Sequence, residues 1–344
     1  MIIAGPRPRG IRSSCIRISW FHLATRPHQG RWQWQWCALA ILLCSLLQSN
    51  IVLATEPITP LPLNAVYDDA KMQLGRQLFF DPILSADQTI SCASCHQPNL
   101  GGADGVSYSS GVGGLKGNMN SPTVLNARFN FVQFWNGRAR TLEQQALQPI
   151  TNPMEMNLSL DELELRLNIS DSYPLAFKAI YGSRGITRQQ VAEVIAEYVA
   201  ALVTPNSRFD RFLRKELELT PQEQNGYELF KSLGCISCHN GINVGGNSYQ
   251  KIGIINSWQG APGVDLYART GRETDRDHYK VPSLRNIALT APYFHDGSAT
   301  NLSRAITMMA DDNLGVRLAT NETADLEAFL RSLTGEIPVI FGLP

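Results

Sequence analysis

Two five-residue stretches of the chain share one pattern, CASCH at residues 92–96 and CISCH at residues 235–239. The pattern C-x-x-C-H is the signature of covalent c-type haem attachment. Its two thiols lie close to one helical turn apart and reach the two vinyl groups of one porphyrin, and the following histidine supplies the proximal iron ligand. The chain is therefore predicted to carry two covalently attached haem c groups. The predicted attachment and ligand residues are Cys92, Cys95 and His96 for haem 1 and Cys235, Cys238 and His239 for haem 2.

Zinc sites and disulfides are the alternatives for paired cysteines. A zinc ribbon usually places its two C-x-x-C halves roughly fifteen to twenty residues apart and needs no following histidine. Here the two motifs are 143 residues apart and each has its own histidine. The spacing therefore favours two haem groups over zinc or disulfides.

The composition limits the size of the domains and the class of partner. The chain has 344 residues, of which 44% are hydrophobic, and is long enough for two domains. Residues 1–54 contain six arginines and no acidic residue, so the remainder carries 24 basic and 30 acidic side chains, a net charge of −6. A mildly acidic body argues against nucleic acid and favours a basic redox protein as partner.

The N-terminal residues 1–54 are predicted to be a signal peptide. A basic region precedes an apolar run at residues 37–47, and Val52-Leu53-Ala54 is a plausible cleavage point. The run is shorter than the roughly 20 apolar residues that span a bilayer, so an uncleaved anchor at residues 37–53 is the minority alternative. Cleavage leaves four cysteines, all in the haem motifs. We expect a periplasmic protein.

The residues before the two haem motifs repeat. Gly-x-x-Leu-Phe occupies residues 75–79 and again residues 226–230, which indicates an internal duplication. Each phenylalanine is expected to pack against its porphyrin or, alternatively, in an ordinary core.

Helical patterns dominate the rest of the chain. Residues 61–80 are predicted to form a helix, and Ser159, Thr187 and Thr220 are predicted to cap others, since each is followed three residues later by Glu or Gln. We expect a mainly α fold of two cytochrome c-like domains, each around one covalently bound haem c, with long ordered loops and little β structure. The predicted domains are residues 55–210 around haem 1 and residues 211–344 around haem 2.

The second axial ligands distinguish the two haems. Between the two motif histidines the sequence contains no histidine, so haem 1 should be open on its distal face or held by a weak ligand. The weak candidates are Met119, Met154 and Met156. Met308 and Met309 lie on a predicted helix downstream of His239, where one of them can ligate haem 2 or both can be core residues. The first domain is therefore predicted to be peroxidatic and the second to transfer electrons.

The sequence resembles the bacterial di-haem cytochrome c peroxidases, a family that includes the MauG-like enzymes, from about Leu63 to Glu336. The stretches that carry the resemblance are residues 84–85, 91–96, 120–126 (NSPTVLN), 133–139 (QFWNGRA), 155–156 and 281–297.

The resemblance implies a role for several side chains. Glu155 would move a proton between the two oxygens of hydrogen peroxide at haem 1, and Gln145 would line the same pocket. Trp135 would relay electrons between the haems, and Met309 would be the sixth ligand of haem 2. A calcium ion between the haems would be bound by Asn120 and by the carbonyls of Thr290 and Pro292, hard oxygen ligands.

The sequence departs from the family pattern at two positions. Many members have a histidine that caps haem 1 in the resting enzyme, and the corresponding position here is Val112. Valine cannot bind iron, so we expect an enzyme that needs no reductive activation. Asn136 replaces the usual aspartate next to Trp135.

The resemblance implies reduction of hydrogen peroxide to water, with electrons from a small cytochrome c or a cupredoxin entering at haem 2, in a homodimer. One alternative is a MauG-like oxidase that acts on a protein substrate. In that group a tyrosine replaces the haem 2 methionine, so Met309 argues against it. A non-enzymatic di-haem electron carrier is the other alternative.

Overall fold

The structure, a computed structural model, describes residues 56–182, 185–258 and 260–342. The predicted signal peptide and anchor lie outside these residues. In the described ranges the fold is mainly helical, with a single two-stranded antiparallel sheet, β1 (Tyr249–Lys251) and β2 (His278–Lys280). The predicted mainly α fold is therefore confirmed.

Eleven α-helices alternate with short 3-10 turns and irregular segments in the described part of the chain. Each of these helices is too short or too polar to cross a lipid bilayer. In chain order they are α1 (Asp69–Phe80), α2 (Cys92–Cys95), α3 (Leu142–Thr151), α4 (Leu160–Ile169), α5 (Tyr173–Tyr181), α6 (Arg188–Ala201), α7 (Arg208–Leu213), α8 (Pro221–Ser232), α9 (Tyr267–Thr270), α10 (Leu302–Leu314) and α11 (Thr320–Ser332).

The predicted helix caps are confirmed. The side chains of Ser159, Thr187 and Thr220 accept hydrogen bonds from the backbone N–H three residues later at the starts of α4, α6 and α8. These bonds satisfy N–H groups that have no partner inside a helix.

The predicted start of the first helix at residue 61 is wrong. The helix begins at Asp69, capped by Asp68, whose carboxylate accepts from the N–H of Lys71 at 3.0 Å. Residues 57, 60 and 62 are prolines, and a proline disfavours helical backbone at the preceding residue. The N–H of Leu61 instead donates to Asp210 at 3.2 Å.

The internal duplication is visible in helix packing. A Cβ at Gly75 in α1 would lie 1.8 Å from the Val194 carbonyl oxygen of α6, and a Cβ at Gly226 in α8 would lie 1.9 Å from the Asp325 carbonyl oxygen of α11. Only glycine allows either pair of helices to approach so closely. The repeated glycine therefore sets the same helix crossing in both halves of the chain.

A second duplicated element is a turn that follows a left-handed asparagine. Asn126 and Asn286 both have φ of 60°, and both donate to the Thr204 hydroxyl at 2.8 Å. Downstream, short bridges at residues 133–139 and 293–299 close two matching turns. The two copies therefore meet at Thr204.

Two hydrophobic clusters form the core. The first contains buried side chains between Met72 and Leu202 together with Phe341. The second contains buried side chains between Phe209 and Leu333 together with Ile58. The assignment of residues 55–210 and 211–344 to separate domains stays a prediction.

A buried ion pair ties the N-terminal segment to the second cluster. The Arg285 guanidinium lies 3.0 Å from the Asp210 carboxylate and is 1% exposed. It also donates to the carbonyls of Ile242 and Thr59. These bonds offset the cost of removing two charges from water.

Candidate functional site

The first C-x-x-C-H motif forms α2 and ends with an oriented histidine. Nδ1 of His96 lies 3.1 Å from the Gly102 carbonyl oxygen, so it can donate there and leave Nε2 as the ligating nitrogen. Burial lowers the pKa of His96, which favours the neutral imidazole that binds iron. The ring of Phe79 lies 6.4 Å from the His96 ring, centroid to centroid.

The second motif lines an apolar cavity of about 280 Å³. Cys235, Cys238 and His239 lie on its wall together with Met309, whereas Met308 packs with the second hydrophobic cluster. Burial lowers the pKa of His239 to about 4, so its imidazole is neutral. The Phe230 ring lies 6.4 Å from the His239 ring, repeating the geometry at the first motif.

The donor sets fit haem better than zinc or disulfides. The four cysteines of the two motifs are free, and the described residues contain no group of three or more His, Cys, Asp or Glu side chains that could hold a metal ion. Two thiols and a neutral imidazole at each motif, with a methionine on the wall of the cavity at the second motif, are instead groups that can hold a haem c.

The three weak ligand candidates for haem 1 lie in different surroundings. The Met119 sulfur accepts a hydrogen bond from the Val264 N–H at 3.4 Å. Met154 is exposed, and Met156 belongs to the first hydrophobic cluster.

Glu155 lies just beyond α3, where the chain folds back on that helix. Its N–H donates to the Asn152 carbonyl, and its carboxylate accepts from Asn152 Nδ2 at 2.6 Å. Burial raises the pKa of Glu155, while the Asn152 bond and the Arg138 charge oppose the rise. Burial, and to a smaller degree the Glu155 charge, raises the pKa of both Cys92 and Cys95, so the carboxylate lies within electrostatic reach of the first motif.

The long loop at residues 101–117 packs against the backbone of Met154 and Glu155. The N–H of Val112 donates to the Glu155 carbonyl at 2.8 Å. A Cβ at Gly111 would lie 2.2 Å from the Met154 carbonyl oxygen and 2.5 Å from the Glu155 carbonyl oxygen. The loop therefore fixes the backbone that carries Glu155.

Trp135 lies on the duplicated turn, at the position that His295 occupies in the second copy. Its indole N–H donates to the Asn120 carbonyl at 2.9 Å, and its ring lies 6.3 Å from the His295 ring. Trp135 also lines the cavity at the second motif.

Asn136 preserves the turn although it lacks the negative charge of the aspartate that is usual in the family. Its Oδ1 accepts from the Arg138 N–H at 3.3 Å, the same bond that Asp296 Oδ1 makes with the Ser298 N–H at 3.0 Å in the second copy. The bond needs an oxygen rather than a charge, so asparagine suffices.

The three residues of the predicted calcium site line one cavity. Asn120, Thr290 and Pro292 all lie on the wall of the cavity at the second motif. Nδ2 of Asn120 donates to the Val106 carbonyl at 3.0 Å, which leaves Oδ1 as the oxygen that can face a cation.

Sequence reasoning predicted Gln145 but missed two polar neighbours of Glu155, namely Asn152, whose amide donates to the carboxylate, and Arg138, whose charge lowers the Glu155 pKa. Gln145 lies half-buried on α3, the helix from which Asn152 reaches Glu155. Arg138 stacks on the Phe134 ring at 3.4 Å and donates to Gln148 at 2.9 Å. The Asn-x-x-Glu spacing at residues 152–155 was the available signal for the first of these contacts.

Comparison with known proteins identifies the family. A sequence profile described as di-haem cytochrome c peroxidase matches residues 69–218. The cytochrome c551 peroxidase of Nitrosomonas europaea is 41% identical over 84% of this chain and 87% of its own length. The cytochrome c peroxidase Ccp of Escherichia coli is 43% identical over 81% of this chain and 61% of its own length.

A solved structure shares the fold. The crystal structure of a MauG-like protein associated with microbial copper homeostasis matches with a TM-score of 0.71, 29% identity, and coverage of 86% of this chain and 97% of the other. The resemblance based on the sequence motifs is thereby confirmed, and with relatives above 40% identity over more than four fifths of its length, the chain belongs to the di-haem cytochrome c peroxidase family.

Proposed function

We propose that this peroxidase reduces hydrogen peroxide to water at haem 1, using electrons that a small cytochrome c or cupredoxin delivers to haem 2. The observation that carries the proposal is the Glu155 carboxylate, which is half-buried, has a raised pKa and lies within electrostatic reach of the first C-x-x-C-H motif. Such a group is suited to general acid–base chemistry.

The family implies two haem c cofactors. Cys92, Cys95 and His96 would hold haem 1, while Cys235, Cys238, His239 and Met309 would hold haem 2. When bound, the haems supply iron centres that accept and release single electrons and a site for peroxide.

Glu155 accepts a proton from one peroxide oxygen and returns it to the other, which leaves as water. Gln145 lines the pocket at haem 1 in which peroxide binds. The Asn152 hydrogen bond holds the carboxylate in place, and the Arg138 charge limits the rise of its pKa. The Asn152 bond and the Arg138 charge thus favour the ionised carboxylate that the first proton transfer requires, against the effect of burial.

Trp135 relays electrons from haem 2 to haem 1. Support comes from its position against the cavity at the second motif and from its hydrogen bond to Asn120, which fixes the indole ring. The Asn120 side chain and the Thr290 and Pro292 carbonyls bind one calcium ion in the same region, and metal analysis of the purified protein should find one calcium per chain.

Position 112 would leave the distal face of a bound haem 1 open in the resting enzyme. Val112 offers no ligating atom, so the oxidised enzyme should turn over without prior reduction of haem 2. A lag that is removed by prereduction, or a bis-histidine spectrum of haem 1, would refute this point.

The mature enzyme is a periplasmic homodimer from which residues 1–54 have been removed. N-terminal sequencing and light scattering of protein from the native host test cleavage and oligomeric state. An intact N terminus in the membrane fraction would support the anchor instead.

A MauG-like oxidation of a protein substrate is the second candidate function. The match to the MauG-like crystal structure favours it. Met309 argues against it, because the resemblance implies tyrosine at this ligand position in MauG-like enzymes.

Glu155→Gln tests the proposal. We expect its turnover of hydrogen peroxide with reduced cytochrome c to fall by about 10²–10⁴-fold, the usual contribution of a general acid–base group. Both haems should remain attached, as measured by haem c absorbance. Glu143→Gln, a change of a carboxylate in the first turn of α3, is the matched control. Full activity in Glu155→Gln would show that the proton-transfer role is wrong.

A further inference from the structure

Lys280 is a buried cation without a counter-charge. It is the last residue of β2 and is 6% exposed. Burial lowers its pKa to about 8, and no neighbouring charge in the described residues opposes that shift. Arg285, the other deeply buried cation among the described residues, has the Asp210 carboxylate at 3.0 Å.

The position of Lys280 relates it to haem 2. Its N–H donates to the Trp135 carbonyl at 2.7 Å, and the residue lines the apolar cavity that also contains His239 and Met309 on its wall. A charge in such surroundings is unfavourable unless an opposite charge and hydrogen bonds compensate it. The protein itself supplies no carboxylate for this purpose among the residues that the structure describes.

We propose that the Lys280 ammonium pairs with a propionate carboxylate of haem 2, an inference that rests on the proposed attachment of that haem at Cys235 and Cys238. Haem c keeps two propionate groups, which are carboxylates at neutral pH and enter the protein with the porphyrin. Lys251 also lines the cavity but is exposed, so it can remain hydrated. In this pair the Lys280 ammonium and the propionate carboxylate compensate each other's charge.

The pair has a consequence for electron transfer. A fixed positive charge near the iron favours the reduced state, because reduction removes one positive charge from the iron. Lys280 therefore raises the reduction potential of haem 2 and helps that haem to accept electrons from the external donor.

The test is a spectroelectrochemical titration of both haems in the holoenzyme. Lys280→Met should shift the one-electron equilibrium of haem 2 about tenfold toward the oxidised form, which is ~59 mV to more negative potential. Lys280→Arg, which keeps the charge, should remain near the wild-type potential. Lys251→Met, a neighbouring lysine on the same cavity, is the control and should leave the potential unchanged.

Two results would overturn the proposal. One is an unchanged haem 2 potential in Lys280→Met, and the other is a shift confined to haem 1. If Lys280→Met does not fold, Lys280→Gln, which also removes the charge, takes its place in the titration. A crystal structure of the wild-type holoenzyme gives an independent answer, since Nζ should lie within ~4 Å of a haem 2 propionate oxygen, and a more distant or differently paired Nζ contradicts the proposal.

These measurements need no peroxide, so they separate this inference from the proposed function. A pyridine haemochrome assay that finds one haem per chain would instead refute the attachment on which it rests.

Discussion

Gly111→Ala is expected to lower peroxide turnover without removing either haem. The new Cβ would lie 2.2 Å from the Met154 carbonyl oxygen and 2.5 Å from the Glu155 carbonyl oxygen, whereas ordinary contacts begin near 3.4 Å. Backbone on one side must therefore move by about 1 Å, and a misplacement of that size can lower the rate by about 10²-fold. We predict a loss of about that size in kcat with reduced cytochrome c.

Gly117→Ala is the matched control. It lies in the same loop, its Cβ would meet only the Ser109 carbonyl oxygen at 3.7 Å, and its backbone is not left-handed. Haem content and the thermal midpoint of both variants should be measured beside the rate. If both Gly111→Ala and Gly117→Ala keep the wild-type kcat, the loop does not set the position of Glu155, and the prediction is wrong.

Two further predictions concern charge. Because burial raises the pKa of Glu155 and the Arg138 charge lowers it, the rate should fall as the pH drops through this raised pKa. Arg138→Met should move that acid limb to higher pH in a profile of kcat/KM for peroxide, and a move to lower pH would contradict the assignment. Asp210→Ala leaves the buried Arg285 charge unpaired and should cost about 3–5 kcal/mol in a denaturant titration. By contrast Glu228→Ala, which breaks a partly exposed pair with Lys231, should cost about 0–1 kcal/mol, and equal losses would refute the distinction.

The features that the sequence predicted well are those encoded locally. The two C-x-x-C-H motifs, the Gly-x-x-Leu-Phe repeat and the caps at Ser159, Thr187 and Thr220 each depend on residues close together in the chain. The apolar pattern that starts at residue 61 predicts too early a start for the first helix, because the prolines at residues 57, 60 and 62 disfavour helical backbone there.

The contacts that the sequence did not predict depend on tertiary structure. Nothing in the local sequence shows that Lys280 is buried, since β2 is only three residues long and its other two residues are His278 and Tyr279. Likewise, the repeated glycines at positions 75 and 226 were noted as a pattern, but their role in close helix packing requires the partner helices α6 and α11.

Low-temperature EPR of the fully oxidised protein would show whether haem 1 is open and haem 2 is closed by methionine, because it reports the ligands of both irons in one measurement. We expect a low-spin signal from haem 2 with histidine and methionine ligands, and a haem 1 signal without a second strong protein ligand. Low-spin signals from both haems, each with two strong protein ligands in every oxidation state, would leave no position for peroxide and would rule out peroxide reduction at haem 1.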